Sequence, residues 1–151
     1  MPELPARPSL EQYKKQAKEL LHAVEARNVD ALDAIATRNG ASASVLLWNY
    51  ADDDTAAAPS PVRLAVEGIP ATAHRALVEE YRIDADHSNA FTVWKQMGSP
   101  EDPTAEQMAQ LKAAGQLQLI GSPRWVTVHA GKLDLDTEQP RESISLLRIS
   151  W

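Results

Sequence analysis

Between Asp84 and Lys95 the chain reads DADHSNAFTVWK, its densest run of groups able to do chemistry. His87, Ser88 and Asn89 can each donate and accept hydrogen bonds, while Phe91 and Trp94 offer ring faces suited to the C–H surface of a sugar. These five residues are the candidate ligand-binding set. The same letters also fit a structural role, in which a His-Ser-Asn run satisfies the backbone of a long loop and Trp94 fills the core beneath. That His87 and Ser88 are neighbours in sequence says nothing about a catalytic triad, which is defined by geometry. No nucleophile-elbow motif is present.

The carboxylates point to less. Glu79 and Glu80 are adjacent, and adjacent side chains on a strand face opposite ways, so the two cannot flank one bond as an acid/base and nucleophile pair must. Asp52, Asp53 and Asp54 lack the alternating ligands and distal Glu of a calcium loop and read as a solvated turn. Asp84, Asp86 and His87 place three ligand types on one loop with no partner elsewhere, which does not define a metal site. No catalytic residue, metal or cofactor is expected.

Composition narrows the classes. A length of 151 residues fits one domain with an extension, and 44% hydrophobic against 24% charged residues fits a globular chain. A net charge of −6 argues against binding a phosphate backbone, so no nucleic-acid partner is expected. With no cysteine, neither disulfides nor a thiolate zinc site can form. The first residues, MPELPARPSLEQYKK, lack the apolar core of a secretory signal, and no stretch is long enough to cross a bilayer. The expectation is a cytoplasmic protein with no membrane partner, a parent with its own signal being the alternative.

The candidate residues must be held by elements with two different periods. Ser9 is a suitable N-cap for Leu10, Tyr13, Ala17, Leu20, Leu21 and Val24, spaced by threes and fours. Val29, Leu32, Ile35 and Ala36 continue the pattern to Asn39-Gly40, read as a helix stop. This predicts a helical hairpin over residues 1–39. Its apolar stripe must be buried, either on the rest of the chain or on the same helix of a second copy, giving a homodimer.

Beyond Gly40 the period falls towards two. Strands are predicted at Ser44–Tyr50, Val62–Glu67, Arg75–Ile83, Trp125–His129, Lys132–Leu135 and Ser143–Ile149. The HAGK turn at His129–Lys132 is expected to join two of them as a hairpin. Trp48, Trp125 and Trp151 fall on or beside strands, with core packing as the expectation for each. Thr104, with Gln107 three residues on, forms a capping box, predicting a helix of roughly ten residues packed as a crossover against the sheet. The fold class is therefore mostly β with some α: an antiparallel sandwich over residues 40–151, preceded by the helical hairpin.

Three segments carry a resemblance: VLLWNY at Val45–Tyr50, the run from Tyr81 to Leu119, and SPRWVTVHAGKLDLDTEQPRESISLLRISW to the end. From about Ile35 to Trp151 they resemble the carboxy-terminal β-sandwich of family 39 glycoside hydrolases, the β-xylosidases. Residues 1–33 look like the leader helix of some bacterial ankyrin-repeat proteins, a helical part foreign to that family. The resemblance implies chemistry on a (β/α)8 barrel that precedes the sandwich, with one glutamate in an Asn-Glu-Pro context. A barrel takes roughly 250 residues and no Asn-Glu pair occurs here.

The implied reading is a non-catalytic accessory domain that binds a xylo-oligosaccharide or a protein. In that resemblance the Asp84–Lys95 loop is the part of the sandwich that approaches the barrel. The alternative is a component or remnant of a xylan 1,4-β-xylosidase that needs a separate catalytic barrel as its partner.

Overall fold

The computed structural model of the chain describes residues 21–26, 32–50 and 57–151. Residues 9–20 of the predicted first helix and the Asp52–Asp54 run lie outside the described residues. What is described is two antiparallel sheets face to face, with a pair of short helices between two strands.

Strand formation follows the alternation of side chains. In β3 (Ser42–Asn49), Ala43, Val45, Leu47 and Asn49 point inward and their neighbours outward. In β9 (Ser143–Ser150), Ser143, Ser145, Leu147 and Ile149 do the same. These two pair along their whole length, and β9 pairs on its other side with β5 (Arg75–Ile83). The far edge of β5 is shared by β7 (Arg124–Thr127) and the two-residue β6 (Gln118–Leu119). Adding β2 (Leu32–Asn39) outside β3 gives a six-stranded sheet. The smaller sheet has β4 (Ser60–Val66) between β1 (Leu21–Ala26) and β8 (Leu133–Gln139).

The core lies between the sheets. Val62, Leu64, Val66, Leu133 and Leu135 of the small sheet meet Val45, Leu47, Val78, Leu147 and Ile149 of the large one. Leu47, Leu64, Leu133, Leu147 and Ile149 are fully enclosed, each contributing about 1.5 to 3 kcal/mol by leaving water. Towards one end the inward positions turn polar, with Asn49, Gln139, Ser143 and Ser145 all buried.

Three expectations need correcting. Residues 32–39 form a strand, not the second helix of a hairpin, and residues 21–26 are also a strand. The threefold and fourfold spacing from Leu32 to Ala36 is coincidental, because Ala34 and Ala36 alternate inward with exposed Ile35 and Thr37. Asn39-Gly40 is consequently a hairpin turn, with Asn39 paired to Ser42 and Gly40 at φ 58°, where glycine is favoured.

The HAGK turn does form, with mutual 2.9 Å bonds between the backbones of His129 and Lys132. It does not join a hairpin, however, since β7 belongs to the large sheet and β8 to the small one. It is the point where the chain changes sheets. Ala130 and Gly131 both have positive φ, and a Cβ on Gly131 would sit 2.8 Å from the Ile69 carbonyl oxygen.

The third correction concerns the helices. The Thr104 capping box is present and starts a helix at Ala105–Ala114, but this helix buries no residue and packs mainly on another helix, not as a crossover on the sheet. That other helix, α1 (Ala90–Gln96), arises within the segment read as loop, and Ala105–Ala114 is therefore α2.

Candidate functional site

Asp84 follows the last residue of β5 and organises the polar loop. One carboxylate oxygen accepts the backbone N–H groups of Asp86 at 2.8 Å and His87 at 2.7 Å, and lies 2.9 Å from His87 Nδ1. The other oxygen is 3.1 Å from the same nitrogen. Burial alone would raise the carboxyl pKa. The Asp86 N–H, the His87 ring and N–H, and the His87 charge together outweigh burial and hold it below the usual carboxylate range.

Ser88, with φ 53°, is buried, and its hydroxyl donates to the Arg82 carbonyl at 2.6 Å while accepting the Gln118 N–H at 2.8 Å. It thus ties β5 to β6. Asn89 is the N-cap of α1: its side-chain oxygen accepts from Phe91 and Thr92, and its amide donates 2.7 Å to the Asp84 carbonyl. The structure does bring His87, Ser88 and Asn89 together, but Ser88 and Asn89 turn their hydrogen bonds to the backbone and the His87 ring turns to the Asp84 carboxylate. Only the His87 ring is appreciably open to solvent.

Phe91 and Trp94 lie on α1 with ring centroids 5.6 Å apart at an interplanar angle of 22°. Lys95 Nζ sits 4.4 Å from the Phe91 centroid, and Trp94 Nε1 donates to the Pro100 carbonyl at 3.0 Å. Phe91 is 57% exposed, yet its ring already has two partners. Trp94 is half-buried in this stack on the helix, not a plug in the sandwich core.

Glu79 and Glu80 face opposite sides of β5, as alternation requires. Glu79 points outward, accepting from Tyr81 at 3.4 Å with Arg148 at 3.8 Å. Glu80 points between the sheets, where Arg82 Nη2 donates to it at 2.7 Å and the Thr137 hydroxyl at 3.1 Å. Arg82 also donates to Ser145 at 2.9 Å and to the Glu138 carbonyl at 2.7 Å. Sequence reasoning missed this cluster. Its signal was that Glu80 and Arg82 occupy the same-face positions that Ala76 and Val78 occupy earlier in β5.

Two further features bear on binding. A depression of about 450 Å³ is lined by Gly40, Ala41, Pro70, Thr72, Ala73 and Trp151, without a titratable side chain. Part of the outer face of the large sheet is apolar, beside the row that holds Glu79 and Arg148. Ile35, Leu46, Leu146, Tyr81 and Leu119 stand in register as one row across five strands, and Trp48, Ile144 and Ile83 form a second row beside it. Ile35, Ile83 and Ile144 are each more than 40% exposed. The small sheet instead presents Arg63, Asp134, Asp136 and Glu138.

The tryptophans divide accordingly. Trp151 packs against the core with Arg38 over its ring, as expected, but Trp48 is on the outer face and Trp125 is 57% exposed beneath Arg75, contrary to core packing. Among the described residues no group of His, Asp or Glu is arranged to hold a metal ion, and no helix is long and apolar enough to cross a membrane.

A two-sheet sandwich with a helical pair between β5 and β6 is therefore the class of fold. In sequence the chain matches glycosyl hydrolases family 39 over residues 8–127, and it belongs to that family. The match includes residues 8–33, which the sequence reading had set apart as foreign.

Among solved structures it is similar to a family 39 enzyme from Xanthomonas axonopodis pv. citri, with TM-score 0.64, 18% identity, and 78% of this chain against 25% of that one covered. A bacterial orthologue of human α-L-iduronidase gives TM-score 0.64 and 24% identity, with 79% and 22% covered. A monomeric β-xylosidase from Caulobacter crescentus gives 0.58 and 19%, with 78% and 26% covered. The chain thus spans about a quarter of the length of these structures. No curated protein matches it in sequence.

Proposed function

We propose that this chain acts as a non-catalytic accessory domain of the family 39 kind, working by contact with protein instead of chemistry on a sugar. The observation that carries this reading is the commitment of the polar run. Asp84, Ser88 and Asn89 direct their hydrogen bonds to the backbone, and Glu79 and Glu80 face opposite sides of one strand. Retaining glycoside hydrolysis needs two carboxyl groups about 5 Å apart across one bond. The share of the related chains that this one covers supports the same view. It also supports the rival, a component that becomes active only beside a separate barrel.

The test is an aryl β-xyloside assay joined to an amide chemical-shift titration with xylobiose or xylotriose. The expected outcome is no turnover and no shifts over residues 84–95 at millimolar sugar. Turnover lost on mutating Glu79 or Glu80 would overturn the non-catalytic reading. Shifts confined to the loop and weakened by Trp94→Ala would instead make it a carbohydrate-binding module, with Trp94 stacking and His87 and Asn89 directing.

A further inference from the structure

The outer face of the six-stranded sheet is built unlike the rest of the surface. Eight residues, Ile35, Leu46, Leu146, Tyr81 and Leu119 in one row and Trp48, Ile144 and Ile83 in the next, lie side by side, and the second row ends on β2 at Asp33, the register partner of Trp48. Scattered exposed apolar residues need no explanation, but two adjacent rows fixed by strand register make a continuous patch. We infer that this face pairs with the same face of a second copy of the chain. The inference rests on the reading of the domain as one that works by contact.

Three observations favour a second copy. The first is area: with three isoleucines more than 40% exposed, Leu119 at 37% and the other four half-buried, the rows present on the order of 500 Å² each way, hence about 1,000 Å² in a pair, the threshold for a specific interface. The second is charge. On the small sheet's outer face Asp134 lies 3.3 Å from Lys132 and Asp136 3.1 Å from Arg63, exposed ion pairs that two copies meeting there would have to desolvate. On the large sheet Glu79 is already beside Arg148, in the row next to the apolar pair. The third is shape. A twisted sheet with an apolar face matches another such sheet, stacked about 10 Å away with side chains interdigitated.

Sedimentation velocity of the full chain across roughly 1 to 200 μM tests this, with the double variant Ile144→Glu plus Ile83→Lys as the probe. These two residues are register partners on β9 and β5, so the new charges lie opposite each other and favour the fold while removing the apolar contact. The expected result is a concentration-dependent dimer whose dissociation constant rises at least about tenfold in the variant, and is unmoved by Asp136→Asn on the other face. Should the double variant fail to fold, Ile35→Ser on the outermost strand reads the same contact. A chain monomeric throughout the range, or association undiminished in a folded variant, overturns the pairing. Neither result touches the xyloside assay, so the accessory reading stands or falls separately.

Discussion

The Asp84–Asn89 loop and the outer face of the large sheet are opposites. The loop is rich in groups that do chemistry elsewhere, and nearly all are bonded to their own backbone. The two apolar rows of the sheet face have almost no directional groups, and three of their isoleucines are more than 40% exposed. Polar letters marked architecture here, and ordinary Ile and Leu letters make up the exposed apolar rows. The difference follows from the cost of burial: a polar group leaving water must find a partner, whereas an apolar group left in water is a standing free-energy cost that a neighbour can remove.

If the loop is architecture, Asp84→Ala should have the largest effect. It removes the shared acceptor of two N–H groups and the His87 ring, lowering stability by about 2 to 3 kcal/mol in urea unfolding. The effect should depend on pH. Because the folded-state pKa of Asp84 lies below its unfolded value, its contribution is complete above the unfolded value and lost as pH falls through the folded one. The gap between wild type and Asp84→Asn should therefore be constant near neutrality and close below about pH 4. A gap independent of pH would mean that the carboxylate charge plays no part.

Asn89→Ala should come next, costing about 1 kcal/mol through loss of the α1 cap, with hydrogen exchange accelerating at Phe91 and Thr92 first. Uniform acceleration over the molecule would deny the cap its local role. The smallest effect belongs to the face. Ile35→Ser, on the outermost strand of its sheet, should change the unfolding free energy of the monomer by less than about 0.5 kcal/mol. A loss as large as that from Asp84→Ala would show that the face is core and erase the contrast.

Much of this fold was legible in the sequence. β5 begins and ends where its alternation says, and the Thr104 and Gln107 side chains both make their capping bonds. Errors arose where two periods coincide. Ala34, Ile35 and Ala36 satisfy a helix and a strand equally in letters, and only pairing with β3 decides. The HAGK turn was read from its residues, but not which sheets lie on either side, since that depends on partners far along the chain. Asn89 was named as a ligand candidate when its position ahead of Ala90 was a helix start. The site was the least legible part, because the partners of Asp84 and Ser88 are mainly backbone groups that no residue letter reveals.

The position of β9 has a consequence for the order in which the molecule can be made. Among the described residues it lies between β3 and β5 as the one bridge between the β2–β3 half and the β5–β6–β7 half of the large sheet, yet it is the last strand in the described sequence. On a ribosome, both halves emerge with an unpaired edge and wait. Neither of the apolar rows exists until Ile144 and Leu146 arrive between their neighbours. A nascent chain halted before Ser143 therefore exposes two open strand edges, the configuration most prone to wrong pairing and the one a chaperone would have to shield.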